Sequence, residues 1–334
     1  MAIGLKRPMA AGWLAGRLGL ELAGPERVID HLCTLDTLAA GGLSFALPGR
    51  RVEAPPDGVV VALPALAAEG LCIIASDNPR LDFIRAQYLL RETPGFQRVS
   101  VPARIHPTAS IGRGAVIEDD VTIGEGTTIG PNAVILAGTR IGRRCDIQSG
   151  AVIGDAGFGF ERDADKRPLR MVHLGGVRIG DHVEIGANTC IARGALGDTV
   201  IEDHVKVNNL VHIAHNCRIG AGTMIGACAD LCGSLDIGRN CWIAPNCSIR
   251  QKLVIGEDAI VGMGAVVVRD VEAGITVYGN PASAHRDGAQ ARRLRASPDQ
   301  PRAKAARATA ASPRTGTASN RRDKSSRHAR PVAG

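Results

Sequence analysis

Aromatic side chains are scarce in this sequence: five Phe, two Tyr and two Trp make up 3% of 334 residues. A helical bundle or an ordinary α/β core of this length carries more aromatic mass, so both classes lose ground. No run of eighteen apolar residues occurs, which argues against a membrane span and against stable insertion into a bilayer. The apolar stretch 9–16 behind Lys6 and Arg7 is too short for a secretory signal and has no convincing cleavage site. A cytoplasmic setting is therefore expected, with the nine cysteines reduced. There is no Cys-x-x-Cys pair and no Cys/His cluster with zinc spacing.

Acidic residues are also few at one end of the chain. The formal net charge is +7, but from His285 onward thirteen Lys and Arg face three Asp, which leaves −3 for everything before. The basic character thus belongs to the tail, and nucleic-acid binding by the body gains no support from it. Residues 284–334 have almost no large apolar side chains and are expected to be a disordered basic tail.

What the chain has in abundance is glycine, 41 residues, and a six-residue period. Isoleucine stands at 105, 111, 117, 123, 129, 135, 141, 147 and 153. The phase resumes at Ile179, Ile185 and Ile191, and after a four-residue insertion runs from Ile201 to Val267. Neither a helix nor a simple strand imposes such a period. Two residues before each aliphatic stands a small one, among them Ala109, Ala115, Thr127, Ala133, Cys145, Ala151, Cys217, Thr223, Cys241 and Cys247. Residues i and i−2 share one side of an extended strand, so each unit is a short strand with a large and a small inward side chain. Glycine often follows the aliphatic, as at Gly112, Gly124 and Gly220, and is read as serving a tight corner. Hexapeptide units of this kind build a parallel β-helix, three units to an eighteen-residue coil. The four inward cysteines read as buried structural thiols.

Before the repeats, residues 1–102 form a small α/β domain. Helices are predicted over Gly12–Leu22 and Leu81–Glu92, and strands over Gly58–Leu63 and Leu71–Ala75. Residues 103–283 form the solenoid, and the excursion 154–178 reads as an external loop of the functional kind. The one pair of residues that suggests chemistry is His215 and Gly233. They are eighteen residues apart, and so stand at the same corner of successive coils. A histidine base beside a backbone N–H suits acyl transfer, the base taking a proton from the nucleophile and the N–H holding the oxyanion. A surface or subunit-contact histidine is the competing reading.

Several stretches together resemble the bacterial UDP-3-O-(3-hydroxyacyl)glucosamine N-acyltransferase family of the lipid A pathway. They are the repeat array, Gly157-Phe-Gly-Phe160, Arg193-Gly-Ala-Leu196, and above all His212-Ile-Ala-His-Asn-Cys-Arg-Ile-Gly220 with Gly233-Ser234. The resemblance implies a left-handed β-helix, a homotrimer with sites between subunits, and an N-terminal domain that grips a UDP-amino sugar. It also implies acyl carrier protein as the acyl donor and direct transfer in which no metal or bound cofactor takes part. On it His215 is the catalytic base and Gly233 the oxyanion donor. Asn209, His212 and Asn216 contribute to the substrate cleft, Phe45 belongs to the nucleotide site, Phe158 lies in the glycine-phenylalanine loop, and Lys252 supplies a phosphate contact. The chain departs from the family after Phe45, where it reads Ala-Leu-Pro-Gly-Arg-Arg51 instead of Asn-Pro-x-Tyr, and at Asn208, where the family has an acidic residue. Val277-Tyr-Gly-Asn-Pro-Ala282 is similar to the last coil of sugar acetyltransferases, so a transferase using an acyl- or acetyl-CoA on another nucleotide amino sugar is the alternative. A zinc hydratase of the γ-carbonic-anhydrase type, drawing on His182, His204, His212 and His215, is a third reading.

Overall fold

The computed structural model describes residues 3–49, 57–66, 70–97, 101–280 and 282–284. The expected disordered tail and the stretch around Arg51 lie outside the described residues. Residues 1–287 fall within one compact unit.

The N-terminal region is a six-stranded mixed sheet. Its strands lie in the order Ile3–Ala10, Val28–Leu32, Gly42–Phe45, Val59–Ala62, Cys72–Ala75 and Glu21–Ala23. The first and last pairings are antiparallel and the inner ones parallel. Helix α1 (Ala11–Leu18) and helix α2 (Pro79–Glu92) pack on it through Leu14, Ala15, Phe83, Ile84 and Leu90. Helix α1 ends earlier than predicted because Gly19 adopts a left-handed conformation, φ 71°, and its N–H closes on the carbonyls of the last turn. Residues 21–23 then leave as a strand. Helix α2 starts at Pro79, two residues earlier than predicted, with the Asn78 side chain accepting from the Leu81 N–H at 3.2 Å.

From Arg104 onward the chain winds through three parallel ladders. Strand follows strand around the three faces, and each pairs with the one a full coil away, as Thr122–Ile123 does with Arg104–Ile105 and with Arg140–Ile141. The aliphatic column is the core: Ile129, Ile147, Ile185, Ile213, Ile219, Leu231, Ile237 and Ile249 are fully buried. Ile105 and Ile111 are 40% exposed, since no coil lies beneath the first one.

The small inward position does more than make room. Thr127 Oγ1 donates to the Gly142 carbonyl at 2.8 Å and accepts from the Cys145 N–H at 3.0 Å. Thr223 does the same with Gly238 and Cys241. The inward thiols copy the donor half of this bond: Cys145 to Gly180, Cys217 to Cys232, Cys241 to Gly256 and Cys247 to Gly262, at 3.0–3.2 Å. Burial pushes the Cys217 thiol up to about 12, which makes it inert as a nucleophile.

The role expected for the glycine after the aliphatic changes. Its φ is ordinary; the left-handed residue stands two places later, as at Asn132, Asn188, His204, Asn216, Ser234 and Lys252. The glycine is required by close approach, because a Cβ on Gly124 would sit 2.5 Å from the Gly142 carbonyl oxygen of the next coil.

The excursion differs from a free loop. Residues Phe160–Arg162 and Pro168–Arg170 pair as an antiparallel hairpin. The chain then returns through buried Met171 and His173, with Met171 in the apolar cluster of the N-terminal sheet. Gln87 of helix α2 fastens it by donating to the Val172 carbonyl at 3.0 Å and accepting from the Val172 N–H at 3.1 Å.

Candidate active site

Three consecutive coils stack at one corner of the prism, and their turns contain His215-Asn216, Gly233-Ser234 and Gln251-Lys252. The Ser234 N–H donates to the His215 carbonyl at 2.9 Å, and the Lys252 N–H donates to the Gly233 carbonyl at 3.0 Å. Asn216, Ser234 and Lys252 all have φ near 60° (60°, 61° and 63°). The left-handed turn sends the preceding side chain outward along the edge, and His215 therefore lies over Gly233. A Cβ on Gly233 would stand 2.8 Å from both Cε1 and Nε2 of the imidazole.

The tautomer of His215 follows from its neighbours. Asn216 Oδ1 accepts from the Ala195 N–H at 2.9 Å, and its Nδ2 donates to the Gly197 carbonyl at 3.3 Å, which fixes the amide orientation. His215 Nδ1, 3.1 Å from Asn216 Oδ1, must then carry the proton. Nε2 is left with the lone pair, on the side facing Gly233. Burial holds the imidazole below its ordinary value of 6.5, and repulsion from Arg80 and His212 adds to this, against the pull of the Asn216 bond.

The Gly233 N–H occupies a position with a recurring property. At six other corners the corresponding N–H is capped by a side-chain oxygen: Ala137 by Glu118, Arg143 by Asp181, Asp181 by Asp203, Ala187 by Asn209, Asn209 by Asn208 and Ala221 by Glu202, at 2.7–3.2 Å. This corner geometry therefore presents an N–H ready for a carbonyl or carboxylate oxygen. Among the described residues none caps Gly233.

A cleft of about 320 Å³ opens beside His215. The solenoid lines it with His215, Asn216, Ser234 and Lys252, and the N-terminal sheet and helix α2 with Phe45, Leu47 and Arg80. Ala195 and Leu196 of the inserted turn and Met171 of the excursion close it. Phe45 is held against Phe83, ring centroids 4.9 Å apart. Arg80 reaches Glu161 of the hairpin at 3.6 Å.

Of the residues singled out by sequence, His215, Gly233, Asn216, Phe45 and Lys252 are brought together. Asn209 is not: it stands at the corner between Lys206–Val207 and His212–Ile213, a different edge, with Oδ1 accepting from the Ala187 N–H. His212 points out from a flat face between Cys190 and Asp230. Phe158 is 83% exposed on the excursion, 4.8 Å from Phe160. Sequence reading missed Arg80, Ser234 as a lining residue, and His173, the excursion's one histidine. A basic residue in the first turn of a helix opened by Asn78-Pro79 was the available signal for Arg80. His182 and His204 stack 4.9 Å apart on another edge, and among the described residues no three His, Cys, Asp or Glu side chains are placed to hold a metal. No helix among the described residues is long and apolar enough to cross a membrane.

The chain is similar to known transferases. A family model described as bacterial transferase hexapeptide (six repeats) matches residues 102–137, 120–155, 198–229 and 236–269. The UDP-3-O-acylglucosamine N-acyltransferase of Delftia acidovorans (strain DSM 14801 / SPH-1) is 43% identical over 254 residues, which span 70% of this chain and 74% of that one. UDP-3-O-acylglucosamine N-acyltransferase 2 of Legionella pneumophila (strain Lens) is 54% identical over 132 residues, 40% of this chain and 38% of that one. Among solved structures, LpxA from Acinetobacter baumannii superposes with a TM-score of 0.51 at 24% identity, over 59% of this chain and 76% of that one; this shows the fold alone. With the repeat array and this extent of identity, the chain belongs to the UDP-3-O-acylglucosamine N-acyltransferase family and is an acyltransferase of lipid A synthesis.

Proposed function

We propose that the protein transfers a (3-hydroxy)acyl group from acyl carrier protein to the 2-amino group of a UDP-3-O-acylglucosamine. The observation that carries this reading is the neutral His215 Nε2 set beside the uncapped Gly233 N–H, in a cleft that also holds an aromatic ring and two cations. The amine nitrogen attacks the thioester carbonyl carbon and forms the C–N bond, and the C–S bond breaks when the tetrahedral oxyanion so formed collapses. His215 Nε2 takes the proton that the amine loses and returns it to the departing thiolate, so the enzyme ends as it began. General-base assistance of this kind is worth about 10²–10⁴ in rate. The Gly233 N–H receives the oxyanion, which is worth roughly 10²–10³ for one donor. Asn216 orients the base, Phe45 stacks on the uracil, and Lys252 meets the diphosphate. Asn209, His212 and Phe158 face substrate from another subunit of a homotrimer, since in one chain they stand apart from the cleft. The setting is the cytoplasm.

Mass spectrometry of the product from a panel of donors tests the reading. Transfer of a hydroxyacyl chain from carrier protein to the UDP-amino sugar is expected. Activity with acetyl-CoA alone would replace it with the CoA-dependent alternative. Light scattering on the eluting protein checks the trimer.

A further inference from the structure

His173 stands beside the base and has no part in the chemistry above. It is 7% exposed. Its Nδ1–H donates to the Met171 carbonyl at 3.1 Å, so Nε2 carries the lone pair. That lone pair is buried and without a hydrogen-bond partner. The ring stands edge-on to His215, centroids 5.0 Å apart and planes at 66°. The two glycines of Gly157-Phe-Gly-Phe160 lie flat against this pair. A Cβ on Gly157 would meet His215 Cβ and Cδ2 at 2.8 Å and His173 Nε2 at 3.0 Å; one on Gly159 would meet His173 Cε1 at 2.9 Å. Arg170 locks the loop, donating to the Gly157 carbonyl at 2.9 Å while its guanidinium sits 4.5 Å over the Phe160 ring. An apolar side chain would fill this space without an orphaned acceptor, so the imidazole calls for a functional account.

We propose that His173 is a positioning residue for His215. Clamped by the glycine-phenylalanine loop, it fixes the plane of the neighbouring imidazole and keeps water from its inner edge, so that His215 works as a neutral base. The proposal rests on the reading of His215 as that base. The groups that act on the two rings are Arg80 from helix α2, Arg170 from the hairpin, Arg193 from the inserted turn and His212 from the adjoining face; all are basic and disfavour a proton on either ring, as burial does. Lys252 and Asp36 line the same cleft as His215, and Glu161 is paired with Arg80. His173 is itself held to about 4, and so shields the base without competing for the proton.

The test compares His173→Ala, His173→Gln and His173→Phe in the full chain, with hydroxyacyl carrier protein and UDP-3-O-acylglucosamine as substrates, across pH. In the alanine variant kcat is expected to fall by about 10- to 100-fold, the scale of a misplaced catalytic group. Its KM for the sugar nucleotide is expected to stay put, and the acid limb of kcat/KM to move to higher pH as water reaches His215. Glutamine is uncharged and can still donate to the Met171 carbonyl, so it should restore both. A wild-type kcat and acid limb in the alanine variant, or a glutamine variant as impaired as alanine, overturns the proposal. Should alanine fail to fold, phenylalanine decides: it keeps the volume but loses the bond to Met171, so kcat should drop, and an unchanged profile overturns the inference. His215→Ala separates the two levels. If it is active, the base reading itself is wrong. If it is inactive while every His173 variant behaves as wild type, only the positioning role fails.

Discussion

The hydrogen bond that sets the tautomer of His215 is made by its neighbour in sequence. Because Asn216 Oδ1 is already committed to the Ala195 N–H, the ring has one tautomer available, and the free nitrogen is the one over Gly233. As the proposed base, His215 must be neutral to act, and burial lowers its proton affinity. The acid limb of kcat/KM is therefore expected below pH 6.5, the ordinary histidine value, with activity falling as pH drops through the lowered one. A pH–rate profile checks this. Gly233→Ala keeps the N–H but drives a methyl into the imidazole, and a loss of about 10²-fold or more in kcat is expected from the displaced base. His173 makes a separate prediction about stability. It is neutral when folded, titrating at about 4, and ordinary at 6.5 when unfolded. Below pH 6.5 the unfolded chain binds a proton that the folded chain does not. Stability is then complete above 6.5 and declines as pH falls towards 4, by about 3 kcal/mol from this group. Denaturant midpoints across that range should show the slope, and His173→Gln should flatten it.

At the level of the six-residue element, two kinds of information sit in the sequence with different clarity. The aliphatic column is legible because burial repeats at a fixed step and every coil needs the same side chain: Ile213, Leu231 and Ile249 stack directly in one face. The left-handed turn residue is legible only in part: Gly, Asn and Asp hold it at most corners, as at Gly114, Gly126, Asn132, Asn188 and Asp258, but Arg144, His204, Leu210, Cys228, Ser234 and Lys252 hold it at others. The constraint on the glycine after the aliphatic, approach of the next coil, is invisible in one dimension. Outside the repeats the edge strand Ile3–Ala10 has no clean alternation and escaped prediction, whereas the apolar runs Val59–Ala62 and Cys72–Ala75 were plain. Of the site, the His215–Gly233 pairing could be read from an eighteen-residue offset. That His173 and Arg80 join the site could not, because they arrive from a non-repeating excursion and from helix α2, neither of which shares the repeat register. The inward hydroxyls carry a test of the element itself. Thr223→Val removes the partner of the Cys241 N–H inside the core, and the unsatisfied donor should cost about 1–3 kcal/mol in a chemical denaturation experiment.

On the scale of the whole molecule, the cleft exists because a sheet without repeats is fastened against a solenoid with them. Gln87 holds the excursion, the excursion and the inserted turn complete the wall, and the two halves contribute different chemistry. The solenoid brings His215, the Gly233 amide and Lys252, while the N-terminal part brings Phe45 and Arg80. This division predicts separable losses. On the proposed function, removing the cation that meets the diphosphate, by Lys252→Ala, should raise the KM for the UDP-sugar by about 10-fold or more, the worth of one hydrogen bond to a charged group, and leave kcat at saturation little changed; Arg80→Ala, which removes the second cation lining the cleft, should act in the same direction. Uridine alone has no phosphate, so its binding should survive both changes and fail in Phe45→Ala. Calorimetric titration with uridine and with the sugar nucleotide distinguishes the two. If uridine binding were lost with Lys252 and retained without Phe45, the assignment of ring and cation to base and phosphate would have to be reversed.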